Sequence, residues 1–331
     1  MKAIVQDKYG APDVLEFKVV EKPVAAEGEV LVRVHAAALN AYDWHAMRGD
    51  PYVARLMLPS VFGLGGPKKK IRGRDFAGRV ESAGQGVTRF RAGDEVFGDL
   101  GFASGTFAEY VSVPDGQVEP KPANLTFEEA AAVPLAGNTA LMGLRDVAQV
   151  QPGHEVLING ASGGVGTFAV QIAKSFGAHV TAVCSGRNVD LVRSIGADHV
   201  IDYTSADFVH DARRYDVVFD LVGNRSLTDL RRVLTPAGTL VLSGGGESRG
   251  GSLVGPVGLL VRSQLLAPFA RQRLLRLVEA PSRANLATLR ELIESGEVTP
   301  VIDRTYPLSD VPEAIRYLEA EHARAKVVIV V

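Results

Sequence analysis

A single cysteine, Cys184, occurs in 331 residues. One thiol excludes an intrachain disulfide and any zinc site built from several thiolates. Neither sign of charge is in excess: 36 Lys and Arg stand against 38 Asp and Glu, a formal net charge of −2. The one short basic run, Lys68-Lys69-Lys70, lies beside glycines and reads as a solvated loop, so nucleic acid is not an expected partner. Long apolar runs are missing too. Met1 to Val5 is too short for the core of a signal peptide. Leu253 to Val261 is interrupted by glycine and proline and falls short of the ~20 residues of a membrane span. A cytoplasmic protein with no membrane span is the expectation. No internal repeat or low-complexity segment is visible.

What is present points to two well-buried domains: hydrophobic residues make up 46% and charged residues 22% of a chain too long for one ordinary core. The first third reads as short strands broken by Gly and Pro, at 30–36, 78–84, 94–98 and, with the clearest alternation, 106–113. Helical spacing takes over from Thr126 to Leu144. A β-α-β rhythm follows, with strands at 155–159, 179–184, 199–202, 215–221 and 238–243 and helices between them. Helices at 286–295 and 311–321 and a strand at 326–331 close the chain. The reading is α/β plus β: a Rossmann-type doubly wound parallel sheet over 123–262, inserted into a barrel-like β domain of 1–122 and 263–331.

Between a strand and a helix lies Asn159-Gly160-Ala161-Ser162-Gly163-Gly164-Val165-Gly166. That context makes a glycine-rich turn informative. The chain must leave the strand sharply and bring main-chain N–H groups close to a pyrophosphate. Gly163 and Gly164 allow the approach, and Gly166 lets the helix pack on the strand. The positive end of the helix faces the phosphates. About 20 residues further on, an NAD enzyme carries an acidic residue for the ribose hydroxyls. Here the chain reads Cys184-Ser185-Gly186-Arg187-Asn188, with no carboxylate. Ser185 can donate to a 2′-phosphate and Arg187 can grip it, which favours NADPH.

Across its whole length the chain resembles the zinc-independent quinone oxidoreductase branch of the medium-chain dehydrogenase/reductase superfamily. The resemblance rests on Ala37 to Trp44, Gly73-Arg74-Asp75-Phe76-Ala77-Gly78, Gly93-Asp94-Glu95-Val96, Pro134 to Ala140, the glycine turn, and Gly196-Ala197-Asp198 before Tyr203. It implies a GroES-like β-barrel domain from both ends of the chain holding a Rossmann domain between them, and a homodimer. It implies cofactor contacts from Asn40, Asp43, Thr139, the turn residues Ser162, Gly163, Gly164 and Val165, then Ser185, Arg187 and Tyr203, and also Lys326. Val222 and Gly244 would lie near the nicotinamide. Where zinc alcohol dehydrogenases have a catalytic cysteine and a histidine ligand, this sequence has Asn40 and Arg74. The seven histidines show no metal-ligand spacing, and no metal is expected.

Without zinc a localised alkoxide is hard to stabilise. Hydride addition to an enone or a quinone spreads the negative charge over a conjugated system, for which hydrogen-bond donors suffice. The expected activity is NADPH-dependent reduction of a small hydrophobic quinone or conjugated carbonyl, in the cleft between the domains. Asn40 and Tyr42 are the candidates for orienting or polarising the acceptor, and Arg74 and Asp75 could form a plain ion pair. Long loops at 48–70 and 246–260, the first with Tyr52, Leu56, Met57, Leu58 and Phe62, could wall the acceptor site. Two alternatives stand: a non-catalytic NADPH-binding sensor or structural protein, and a zinc-free alcohol dehydrogenase or carbonyl reductase.

Overall fold

The computed structural model describes residues 1–331 apart from 51, 53, 54, 56–61, 64, 244–256, 321 and 322. It divides into two units, the first of Met1–Asn138, Ala280–Gly296 and Pro300–Val331, the second of Thr139–Glu279 and Glu297–Thr299.

In the first unit β1 (Lys2–Gln6) pairs antiparallel with β2 (Leu15–Val19). The larger sheet is organised by β3 (Glu29–Leu39), eleven residues long and buried along most of its length. One of its edges pairs with β4 (Asp75–Ala83), which continues to β5 (Glu95–Asp99) and β7 (Val118–Pro120). Its other edge is shared. Residues Glu29 to Arg33 pair with β6 (Tyr110–Pro114), and Ala36 to Leu39 pair with β15 (Lys326–Val330), which β14 (Ile302–Pro307) extends in parallel. Inward-facing Val30, Val32, Val34, Phe76, Val96, Val111 and Val113 form one core cluster. Ile4, Leu39, Met47, Phe107, Ile315, Val327 and Ile329 belong to a second.

The second unit carries a six-stranded sheet in which every neighbouring pair is parallel. Its members are β8 (Glu155–Asn159), β9 (His179–Cys184), β10 (His199–Asp202), β11 (Tyr215–Asp220), β12 (Leu234–Leu242) and β13 (Arg273–Arg276). Their spatial order, β10-β9-β8-β11-β12-β13, is the doubly wound order. The central strands are near-continuous apolar runs, as burial on both faces requires. The order reverses between β8 and β11, and ligands of such sheets bind at the carboxyl ends of the strands there.

Several expected elements are redrawn. The alternation at 106–113 serves two partners: Ala3 bridges Ala108 and Ile4 N–H donates to Phe107 O, so only Tyr110–Pro114 joins β3. Pro134 divides the helical stretch into Phe127–Ala131 and Pro134–Leu141, since a proline has no N–H and sits best in a first helical turn. A π-helical turn, Met142–Ala148, follows. The unit boundaries fall after Asn138 and Glu279 rather than after 122 and 262. On the first side, Phe127 stacks on His35 of β3 and Leu135 N–H donates to Asp75 of β4. On the second, the helix Val257–Leu266 and β13 complete the parallel sheet.

Candidate active site

The glycine turn leaves β8 pinned to its neighbour: the N–H groups of Gly160 and Ala161 both donate to Val183 O of β9, at 3.2 and 3.0 Å. Gly160 has φ +88, and a Cβ there would come within 2.7 Å of Val222. Gly163 occupies the N-cap of the twelve-residue helix Gly164–Ser175. A Cβ on Gly166 would lie 2.1 Å from Gly160 O, so only glycine lets the helix sit this close to the strand. Within the helix, residues Gly166 to Ala173 are buried, whereas Val165 and Phe176 at its two ends are half-buried.

Two side chains that sequence reasoning passed over hold the neighbouring loop in place. Asn159 Nδ2 donates to Asp220 Oδ1 at 2.8 Å and to Asn224 Oδ1 at 3.1 Å, and Asp220 Oδ1 accepts the N–H groups of Val222 and Gly223 at 3.2 and 3.0 Å. Val222 is thereby brought against Gly160 of the turn. The available signal was a polar residue at the carboxyl end of each of two central strands, directly after the apolar runs Val156 to Ile158 and Val217 to Phe219.

At the end of β9 the structure gathers Ser185, Arg187, Tyr203 and the turn residue Ser162. Tyr203 N–H donates to Cys184 O at 3.0 Å, and its side chain is exposed. Asn188, also unforeseen, bridges Ser162 and Ser185 through Nδ2 at 3.0 and 3.2 Å. A carboxylate does lie against this loop in space: a Cβ on Gly186 would come within 2.6 Å of Asp202 Oδ2, at the end of β10. Asp202 accepts the N–H and hydroxyl of Thr204 at 2.9 and 2.7 Å, which hold its pKa below the usual value. Thr139 is buried within its helix. Gly244, with Leu56, Met57 and Leu58, lies outside the described residues.

The first unit holds a buried polar cluster where β3 passes into the helix Ala41–Arg48. Asp43 accepts the N–H of the N-cap residue Asn40 at 2.8 Å. The Asn40 amide is engaged at both ends: Nδ2 donates to Asp75 at 3.0 Å, and Oδ1 accepts from Lys326 Nζ at 2.6 Å. Lys326 also donates to Leu39 O at 3.0 Å and to Asp75 at 3.4 Å. Burial pushes the Asp75 carboxyl up to about 7 although Lys326 opposes it, and burial likewise lowers the Lys326 ammonium. Asp43 is raised to about 6 by its complete burial.

Arg74 lies close enough to Asp75 to favour its charged form, but its two-pronged hydrogen bond goes elsewhere. Arg74 forms a two-pronged pair with Asp99, at 2.9 and 2.6 Å, and both side chains are buried. Its guanidinium also lies 5.3 Å from the Tyr42 ring, which meets Phe102 edge-on. The Tyr42 hydroxyl is buried near Ser104, and burial raises its pKa, so it stays a donor. Among the described residues no group of three or more His, Cys, Asp or Glu could hold a metal ion.

A parallel sheet of this order, with a glycine turn after its first strand, together with a β unit drawn from both ends of the chain, defines a two-unit nucleotide-binding dehydrogenase. Residues 26–123 match the alcohol dehydrogenase GroES-like domain family, and residues 195–329 match the zinc-binding dehydrogenase family. The human mitochondrial NAD(P)H oxidoreductase RTN4IP1 is 36% identical, over 99% of this chain and 89% of its own. The quinone oxidoreductase of Coxiella burnetii superposes with a TM-score of 0.86 at 30% identity, covering 100% of this chain and 99% of its own. The Escherichia coli quinone oxidoreductase complexed with NADPH superposes at 0.85 with 26% identity, covering 100% of both. The chain belongs to the medium-chain dehydrogenase/reductase superfamily, among its quinone oxidoreductase-like members.

Proposed function

We propose that this protein is an NADPH-dependent oxidoreductase that reduces a quinone or an α,β-unsaturated carbonyl without zinc. The observation that carries the reading is the end of β9, where Ser185 and Arg187 stand beside the glycine turn with no acidic residue in the stretch Cys184 to Asn188. A phosphate dianion at the ribose 2′ position suits that set and a carboxylate would repel it. Ser162, Gly163, Gly164 and Val165 present the helix end to the pyrophosphate, Thr139 and Val222 approach the remainder, and Tyr203 lies over the adenosine side. The relatives named for quinone reduction and for NADPH point the same way.

Bound NADPH supplies the hydride, and a proton from solvent or Tyr42 completes the two-electron reduction. Tyr42 keeps its O–H through the working pH range, so it can donate to the acceptor oxygen as negative charge develops. Asn40 serves by position: its amide is already engaged by Asp75 and Lys326, and the three N–H bonds of Lys326 are all committed inside the cluster. In this reading Asn40, Asp43 and Lys326 shape the floor of the site rather than polarise the acceptor. Arg74, locked to Asp99, stands where zinc enzymes place a histidine, and a guanidinium cannot ligate zinc.

We also place the protein in the cytoplasm as a homodimer. The outer edge of β13 is unpaired among the described residues, and Leu265 and Phe269 beside it are exposed. Among the described residues no helix is long and apolar enough to cross a membrane.

The test is NADPH oxidation against quinones, linear enones and simple aldehydes, with and without a chelator. Chelator-insensitive turnover of quinones or enones is expected. Turnover confined to aldehydes points to the carbonyl reductase reading. NADPH binding with no turnover of any acceptor points to a binding role.

A further inference from the structure

Asn188 is buried where the first two strands of the parallel sheet end, and its amide is used in an unusual way. It is the N-cap residue of the short helix Val189–Ser194, a position where asparagine ordinarily turns Oδ1 to the helix's own N–H groups. No such bond forms, and Oδ1 is buried without a donor among the described residues. The side chain instead donates through Nδ2 to Ser162 Oγ at 3.0 Å and to Ser185 Oγ at 3.2 Å. Neither serine hydroxyl donates to any group among the described residues.

A hydroxyl has one O–H to give and lone pairs to receive with. When an amide N–H occupies a lone pair, the hydrogen has to point elsewhere. We propose that Asn188 fixes the polarity of both serines, making each an outward donor: Ser162 toward the pyrophosphate and Ser185 toward the 2′-phosphate. A phosphate dianion can only accept, so it profits from a fixed donor. The 2′-hydroxyl of NADH can give or receive, so it is indifferent to the serine's polarity. Asn188 is therefore a positioning residue for nucleotide choice, acting through Ser185. This rests on the NADPH reading above.

Dissociation constants for NADPH and NADH are measured by fluorescence titration on the wild type, Asn188→Ala, Ser185→Ala and the double variant. A hydrogen bond to a charged group is worth enough that Asn188→Ala should weaken NADPH about tenfold. NADH should weaken several-fold less than NADPH, because it loses only the orientation of Ser162 toward the pyrophosphate that both nucleotides share. In the Ser185→Ala background, Asn188→Ala should no longer alter the ratio of the two constants. A purely structural asparagine would weaken both nucleotides by the same factor in both backgrounds, and that result overturns the inference. If Asn188→Ala does not fold, Asn188→Asp has the same shape and caps helices well. It turns the serine hydrogens inward, so loss of NADPH preference is expected and an unchanged ratio overturns the inference. A wild type that binds NADH as tightly as NADPH overturns the cofactor reading, and this inference with it. A selective wild type whose preference survives Asn188→Ala overturns the inference alone.

Discussion

Asp43 is a carboxylate held in the protein against its own solvation. Arg74, Lys326, Arg72 and the Asn40 N–H all favour its charged form, yet burial outweighs them and lifts its pKa to about 6. In the unfolded chain the group ionises near its ordinary 3.8. A carboxyl whose pKa is raised on folding contributes stability that is complete below the unfolded value and is lost as pH climbs through the folded one. The window therefore runs from about pH 4 to a little above pH 6. At about 1.4 kcal/mol per unit the loss is on the order of 3 kcal/mol. Asp43→Asn keeps the acceptor for Asn40 and removes the titration, so its denaturant midpoint should fall less between pH 4.5 and 7.5 than that of the wild type. Parallel pH profiles would show that Asp43 does not titrate on folding.

The glycine turn was legible because its demands are local. Gly160 is needed for a positive φ and Gly166 for a close backbone approach, and those needs are written at the residues themselves. Gly166→Val is expected to force the helix Gly164–Ser175 off β8, costing about 1–3 kcal/mol of stability and most of the nucleotide affinity. Gly116→Ala, which meets nothing within 4 Å, should leave the chemical denaturation midpoint and the binding isotherm unchanged. Retained nucleotide affinity in Gly166→Val would remove the close-approach argument. Contacts between distant segments left no such mark. Asn188 reads as a helix cap, and its link to Ser162, 26 residues back, exists only in the fold. The pairing of Arg74 with Asp99, 25 residues on, was hidden for the same reason: Asp99 ends β5 and is brought beside the start of β4 only by the sheet. β13 and β14 escaped notice because Arg273-Leu274-Leu275-Arg276 is too short to show a period, and Ile302–Pro307 is a half-exposed edge.

At the scale of the whole molecule, composition and the β-α-β rhythm were enough to foresee one β unit of short strands and one parallel sheet, and resemblance supplied the order in which the chain builds them. Association is a property of this scale as well. Phe269 is 86% exposed, an uncommon position for a large aromatic unless another surface covers it. Phe269→Glu is expected to shift sedimentation from a dimer toward a monomer. A wild type that sediments as a monomer at micromolar concentration would dispose of the dimer assignment.

The pairing of β3 with β15 has a further consequence, for biosynthesis. The bond from Lys326 to Leu39 spans 287 residues, so the strand that organises the first sheet cannot complete its pairing until almost all of the described sequence has been translated. At about 5–20 residues per second, β3 waits tens of seconds for its neighbour. The parallel sheet of the second unit needs only residues 155 to 276 and can form while that wait continues. On the ribosome, the half of the molecule that grips the nucleotide is thus available to fold before Asn40 has a lysine to hold it.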